Sequence, residues 1–268
     1  MQCADLLGLD LAAFTAWSRA LVGHAERFHF ELYRRMMVSG MFVPAEAPLW
    51  REAERARPGI CATLQAQGLA EQLPPISGMM QAVDREHGTT TKVLCRLADG
   101  SEVEAVLIPM HAGGHHTVCV SSQVGCKMGC SFCHTAKMGL IRSLSAHEIV
   151  AQVLAVQRAT GCRPRNVVFM GMGEPLDNVD AVAQAVRVLT GPGGLALRHR
   201  HLTISTVGRV DGLARWRELS LDRINLAVSL TAADDDLRSE LMPVNRLHPL
   251  ALLKQALQAI PLASGRRI

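Results

Sequence analysis

The stretch GlyCysLysMetGlyCysSerPheCysHis (125–134) places three thiols, Cys126, Cys130 and Cys133, at the spacing C-x3-C-x2-C. Cysteine thiolates hold iron-sulfur clusters, and a four-iron cubane with three cysteine ligands keeps one iron open. A structural zinc site is the alternative, but zinc takes four tetrahedral ligands, usually as two separated pairs, and His134 adjoins Cys133 too closely to be the fourth. The spacing therefore predicts a 4Fe-4S cluster.

An open iron predicts a ligand that binds directly to the cluster. Such an iron can chelate the amino and carboxylate groups of S-adenosylmethionine (SAM) and pass one electron to its sulfonium. We therefore expect radical chemistry that starts from SAM, with the cluster loop at the centre of the site.

The composition fits a folded intracellular protein. The 268 residues are 49% hydrophobic and 19% charged, which predicts a large domain with a well-buried core and a smaller appendage. No apolar signal segment follows Met1, and three of the eight cysteines lie close together, unlike the pattern of small disulfide-bonded secreted proteins. No apolar run approaches the roughly 20 residues that span a bilayer. We expect a cytoplasmic location, and the net charge of +4 permits a nucleic-acid partner without requiring one.

The first part of the chain predicts helices followed by a hairpin. Residues 1 to about 75 are patterned as helices, the first of them capped by Asp10. The segments 93–97 and 102–109 then predict a β-hairpin, and Asp99 and Gly100 are expected to supply the positive backbone angles of its turn.

From Thr117 onward, short apolar runs alternate with amphipathic stretches, which is typical of parallel βα units. Ser145 and Glu148 form a capping box for the helix after the first strand. Loops that follow parallel strands meet at one rim of a barrel. The cluster loop, GlyMetGlyGluPro (171–175), Ser205 and Ser229 are therefore expected at one site. The predicted strands are 117–121, 166–171, 202–206 and 224–230.

Two long motifs, ThrValCysValSerSerGlnValGlyCys (117–126) and PheMetGlyMetGlyGluProLeuAspAsn (169–178), resemble the RlmN/Cfr family of radical SAM enzymes that methylate adenine in ribosomal RNA. The resemblance extends over essentially the whole chain. It implies an α/β fold, a partial (βα) radical SAM barrel with a small helical N-terminal domain and a β-hairpin linker. The implied domains are 1–88, helical and RNA-contacting with a linker; 89–116, the hairpin linker; and 117–268, the partial barrel, C-terminally truncated.

The resemblance also assigns roles to matching positions. Cys126, Cys130 and Cys133 would hold the 4Fe-4S cluster. Glu104 would accept a proton during catalysis, and Cys119 would resolve a covalent protein–RNA intermediate. The family usually has histidine where this chain has Thr231, whose hydroxyl can still form a hydrogen bond. The positions implied to contact SAM are Gly173, Glu174, Ser205, Ser229, Leu230 and Thr231.

The implied reaction is SAM-dependent methylation of C2 of adenine in 23S ribosomal RNA, with tRNA as a second candidate substrate and flavodoxin or ferredoxin as electron donor. In the family, a further cysteine near the C-terminus first accepts a methyl group. No cysteine follows Cys162 here, and the chain ends at ArgArgIle (266–268), where another strand is expected. We therefore expect that the 268 residues lack this cysteine, the last strands and one SAM contact. Three explanations stay open: a fragment, a chain that works with a partner, or a relative that does not methylate.

Two other function classes also stay open. One is a radical SAM enzyme that uses the deoxyadenosyl radical on another substrate, and the other is an iron-sulfur module that binds RNA without methylating it. Basic side chains near the rim are expected to contact phosphate, although a solvated surface explains them equally well. They are Lys137, Arg142, Arg163, Arg165, Arg198, Arg200 and Arg209.

Overall fold

The computed structural model describes residues 3–23, 26–39, 48–66, 73–110, 114–216, 218–260 and 268. The helices are α1 Leu11–Val22, α2 Glu26–Ser39, α3 Pro48–Ala56, α4 Ile60–Ala66, α5 His134–Lys137, α6 Ala146–Thr160, α7 Val179–Thr190, α8 Val210–Ala214, α9 Asp235–Leu241 and α10 Leu250–Gln258. The strands are β1 Ile76–Asp84, β2 Gly88–Arg96, β3 Glu102–Pro109, β4 His116–Cys119, β5 Gln123–Gly125, β6 Leu140–Ser143, β7 Asn166–Phe169, β8 Leu202–Thr206 and β9 Asn225–Val228. Within these residues, no helix is both long and apolar enough to cross a membrane.

Seven strands form one mixed sheet in the order β1-β2-β3-β4-β7-β8-β9. Strands β1 to β4 pair antiparallel, and β4, β7, β8 and β9 pair parallel. The four parallel strands coincide with the four predicted strands to within a few residues. The α/β fold class is therefore confirmed, with an open arc of parallel strands.

The antiparallel part is larger than predicted. Strand β1 pairs along most of its length with β2, although its residues fall in the range expected to be helical domain and linker. Its side chains are almost all exposed, so the segment lacks the apolar alternation that predicts a strand. The turn between β2 and β3 also differs, because Gly100 has a positive φ of 84° whereas Asp99 does not.

The helix starts follow the sequence signals closely. The Asp10 side chain accepts a hydrogen bond from the N–H of Ala13 at 2.9 Å. Ser145 and Glu148 form the predicted reciprocal capping box at the start of α6. Helix α6 buries Ile149, Val153 and neighbouring apolar residues in one continuous core, which also contains Phe14 and other side chains of the N-terminal helices. Because the core is shared, the N-terminal helices are packed against the sheet's helical layer.

The two faces of the sheet have different environments. Val103 and Ala105 of β3, Val118 of β4 and Ile204 of β8 point into the core beneath the helices. The residues that alternate with them are only half-buried. Side chains alternate between faces along a strand, so this second, half-exposed face is the one available to ligands.

Candidate active site

The half-exposed face carries residues from separate predicted motifs. Cys119 on β4 pairs with Val106 of β3, and Glu104 lies two residues before Val106 on the same face. Residues in this diagonal relation across antiparallel strands have Cβ atoms within about 7–8 Å. Further along the sheet, the hydroxyls of Ser205 and Ser229 are 3.5 Å apart. The structure therefore brings the two predicted catalytic residues and two predicted SAM contacts onto one surface.

Glu104 has a basic partner that the sequence did not reveal. The Nζ atom of Lys92, on β2, lies 2.9 Å from Oε1 of Glu104. Both side chains are partly exposed, so the pair is reachable by a ligand. No motif surrounds Lys92. Its position diagonally across from Glu104 follows only from the register of β2 and β3.

Cys119 is half-buried at the end of β4. Burial raises the pKa of its thiol, while a hydrogen bond from the backbone of Met170 acts in the opposite direction. The neutral thiol is thus the favoured form near pH 7, and a base is needed before this sulfur can act as a nucleophile.

The cluster loop is held between two other segments. The N–H of Cys126 donates to the carbonyl of Gly139 at 2.9 Å, and the N–H of Ser131 donates to the carbonyl of Leu241 at 3.0 Å. Cys126 and Cys130 pack with Met128, Met242 and Val244, and the partly buried Cys133 packs against the same group. The three thiols consequently lie together, packed against the segment after α9.

The donor set formed by the three thiols fits an iron-sulfur cluster. Among the described residues, no three His, Cys, Asp or Glu side chains come close enough together to hold a single metal ion. A four-iron cluster is larger and takes one thiolate at each ligated iron, so three neighbouring thiols suit it. Burial raises the pKa of Cys126 to about 11 and also raises that of Cys130. Loading the cluster must therefore release protons from these thiols.

The two long motifs are in direct contact with each other. Oε1 of Gln123 accepts the N–H of Glu174 at 2.9 Å, and the carbonyl of Met172 accepts the N–H of Ser122 at 2.8 Å. Gly173 has a φ of +98°, and a Cβ built on it would lie 2.6 Å from Cβ of Gln123. Glycine is needed here both for the backbone angle and for the close approach. The motifs therefore form one unit that fixes the loop after β7 against the approach to the cluster.

The side chain of Glu174 is only 2% exposed. A carboxylate that did no more than bind the ammonium group of SAM at the rim would be expected to be more exposed. Its carboxylate accepts the N–H of Val207 at 2.9 Å and the N–H of Leu176 at 3.0 Å. Burial raises its pKa, and these hydrogen bonds and that from Thr206 oppose the rise. Besides its predicted contact with SAM, Glu174 therefore joins the loops after β7 and β8 through these hydrogen bonds.

We expect Glu174→Ala to weaken SAM binding by roughly one to two decades, which corresponds to about 1.5–3 kcal/mol for one charge-assisted contact. Because two backbone N–H groups lose their acceptor, we also expect the free energy of unfolding to fall by about 2–4 kcal/mol. Calorimetric titration of the reconstituted protein and urea denaturation measure the two effects. Glu218→Ala, which removes an exposed carboxylate, is the matched control. A stability loss with unchanged SAM affinity would restrict Glu174 to positioning the loops.

The remaining predicted SAM contacts lie after β8 and β9. Leu230 is 47% exposed, and Thr231 is exposed with a φ of +64°. Positive φ is rare for a β-branched residue and often accompanies functional loops. Ser205, Ser229 and these two residues thus form one accessible, partly polar edge that suits the polar and apolar parts of SAM.

Arg238 is a site residue that the sequence analysis missed. Its side chain is fully buried on α9. Its guanidinium donates to the carbonyl of Val207 at 2.6 Å, to the carbonyl of Leu230 at 3.0 Å and to Oδ1 of Asn245 at 2.5 Å, and it interacts electrostatically with Cys130. Arg238 thereby joins the loops after β8 and β9 near Cys130. Nothing in the local sequence distinguishes it from an exposed helical arginine.

The expectation that seven basic residues lie near the rim is wrong for most of them. Arg163, Arg165, Arg198 and Arg200 precede β7 and β8, so they lie at the opposite end of the parallel strands. Arg209 is at the rim but pairs with Asp177 and Asp211. Arg142 is engaged with Asp99 and Glu148. At the rim, this leaves Lys137, in the short helix α5 of the cluster loop, as the exposed cation of this set among the described residues.

Comparison with known proteins identifies the family to which this chain is similar. Residues 120–267 match the radical SAM superfamily. The chain is 53% identical over 181 residues to the dual-specificity RNA methyltransferase RlmN of Syntrophobacter fumaroxidans, covering 67% of this chain and 52% of that protein. It is 40% identical over 234 residues to the probable dual-specificity RNA methyltransferase RlmN 1 of Protochlamydia amoebophila, covering 87% and 61% respectively.

A crystal structure of a radical SAM methyltransferase from Sphaerobacter thermophilus superposes with a TM-score of 0.76 at 36% identity, covering 94% of this chain and 70% of that one. The chain spans roughly half to three-fifths of the length of the two curated relatives above. The matching superfamily, the sequence identity and the shared fold together place the chain in the RlmN/Cfr family of radical SAM enzymes.

Proposed function

We propose that this chain contributes the cluster-binding and SAM-binding part of an enzyme that methylates C2 of adenine in 23S ribosomal RNA, with tRNA as a second substrate. The observation that carries the proposal is the arrangement of Glu104 and Cys119 on the same half-exposed face as Ser205 and Ser229, together with the three thiols packed in the neighbouring loop. The relatives' names, which describe RNA methyltransferases, support it.

Family membership implies a 4Fe-4S cluster and SAM as cofactors. When bound, they supply an electron and a source of both methyl groups and radicals. Cys126, Cys130 and Cys133 would hold the cluster, while Ser205, Ser229, Leu230 and Thr231 would orient SAM at its edge. Arg238 and Glu174 keep the surrounding loops in register through their backbone hydrogen bonds.

Glu104 and Cys119 suit the release of the methylated base. The carboxylate of Glu104, whose Oε1 lies 2.9 Å from Nζ of Lys92, can take a proton from the ring. Once its proton is removed, Cys119 can attack the sulfur that joins RNA to the methyl-carrying cysteine expected outside these 268 residues. A disulfide forms between the two cysteines while the sulfur–carbon bond breaks, and its electron pair passes to the methylene carbon, which takes up a proton to give the methyl group. Their shared face lets both reach the same bound nucleotide.

Deletion of the gene from its source organism is expected to remove 2-methyladenosine from 23S ribosomal RNA, and from tRNA if both are substrates. Nucleosides from purified RNAs are quantified by mass spectrometry, which also distinguishes 2-methyladenosine from 8-methyladenosine. Complementation with the intact gene should restore the modification, whereas complementation with Cys119→Ala should not, because the joined protein–RNA intermediate would persist.

Cys162→Ala is the matched control, since Cys162 is a partly buried thiol next to the end of α6, away from the site. Unchanged 2-methyladenosine in the deletion strain would overturn the proposal. Formation of 5′-deoxyadenosine by the purified protein without any effect on RNA would instead favour a radical SAM enzyme with another substrate.

A further inference from the structure

The end of the parallel sheet opposite the active site is strongly basic. Five arginines lie in the segments that lead into β7, β8 and β9, and all five are exposed. We call this surface the basic end. It consists of Arg163, Arg165, Arg198, Arg200 and Arg223.

The tertiary fold brings these segments together from separate parts of the sequence. The N–H of Arg165 donates to the carbonyl of His116 at the start of β4. Nδ1 of His201 lies 2.8 Å from Oδ1 of Asn166, and Nδ2 of Asn225 donates to the carbonyl of Arg200 at 2.9 Å. The starts of all four parallel strands are thereby connected, with arginines extending from three of them.

Few acidic groups balance this charge. The segments 161–165, 191–201 and 220–224 contain one carboxylate, Asp222. Among the ion pairs of the described residues, none involves an arginine of the basic end, in contrast to Arg209 at the rim, which pairs with Asp177 and Asp211. Burial lowers the pKa of His201, and Arg165, Arg200, Arg198 and His115 lower it further. Three of the five guanidinium groups of the basic end therefore act on a common point.

We propose that the basic end binds the phosphate backbone of the RNA substrate as a second contact, separate from the site that holds the target base. This proposal rests on the proposed function, because it assigns part of the same substrate to a different surface. Guanidinium groups bind phosphate through paired hydrogen bonds and are preferred wherever planar recognition of that group is needed. Such contacts carry no base information and serve to position the RNA.

The distance between the two surfaces defines the kind of RNA that can use both. Strands of four or five residues at about 3.3 Å per residue separate them by roughly 15 Å. A nucleotide in the active site cannot itself reach the basic end. An RNA that uses both surfaces must therefore extend several nucleotides beyond the target base, with its backbone passing around the edge of the sheet.

The test uses a triple variant, Arg165→Gln, Arg198→Gln and Arg200→Gln, in the protein reconstituted with iron, sulfide and SAM. Binding to full-length, unmodified 23S ribosomal RNA transcript is measured by filter binding at several salt concentrations. Each lost phosphate contact reduces the slope of log K against log salt by about 0.7–0.9. We expect the slope to fall by roughly 2–3 in total and the affinity at 0.15 M salt to weaken by about tenfold or more.

A second triple variant, with Arg55, Arg85 and Lys254 replaced by glutamine, removes the same charge from scattered exposed positions and should retain most of the affinity and the slope. Equal weakening in both variants would assign the effect to net charge and overturn the proposal. Unchanged RNA binding in the first variant would also overturn it and leave an acidic protein as the partner of this surface. SAM-dependent 5′-deoxyadenosine formation without RNA should be normal in both variants, so failure of the proposed methylation would appear separately, as unmodified RNA in cells.

Discussion

Replacement of Cys130 by alanine is expected to abolish the iron-sulfur cluster and all SAM cleavage. Cys130 lies at the centre of the thiol loop, where it packs with Cys126 and contacts the segment after α9. With two thiolates left, neither the cluster nor its open iron can be held in a defined position. Cys126→Ala and Cys133→Ala should have the same effect.

Iron and sulfide content, visible absorption after anaerobic reconstitution, and the SAM-responsive paramagnetic signal after reduction measure this loss. We expect the wild-type protein to be brown and the three variants to be colourless. Cys162→Ala, which removes a thiol outside the loop, should behave as wild type. Stoichiometric zinc in place of iron after anaerobic purification of the wild-type protein would contradict the assignment of the loop.

Gly125→Ala is expected to reduce both the stability and the cluster content sharply. Gly125 immediately precedes Cys126 and has a φ of +75°, and a Cβ built there would lie 1.8 Å from the carbonyl oxygen of Gly139. That oxygen accepts the N–H of Cys126. An added methyl group must therefore push apart the two strands that position the first thiol. We expect a loss of at least about 3 kcal/mol in the free energy of unfolding.

Gly139→Ala is the matched control for this prediction. Gly139 has a similar φ of +67°, but a Cβ there meets no atom within 4 Å. Only the backbone preference is then affected, at a cost of about 1–2 kcal/mol. Urea denaturation and iron content compare the two variants. If they lose the same stability, the contact with the Gly139 carbonyl is not what requires glycine at position 125.

The parallel strands and the helix between the first two were predictable because each is marked locally. Capping residues such as Asp10 and Ser145 satisfy backbone groups within a few positions of themselves. Buried parallel strands read as short apolar runs, as at Asn166–Phe169. Strand β1 lacked such a signal because its side chains are exposed on both faces, and its pairing with β2 alone defines it.

The sequence by itself determined the chemical identity of the site: three thiols at the spacing of an open iron-sulfur cluster, and two motifs typical of one enzyme family. Only the tertiary structure decided which side chains surround them. In that structure Lys92 pairs with Glu104, and Glu174 and Arg238 are buried between loops. Four of the arginines expected at the rim lie instead at the opposite end of the parallel strands. Thiol spacing is a local property of the chain. The partner of a charged side chain depends on strand register and on the direction of each strand, which arise from contacts between residues far apart in sequence.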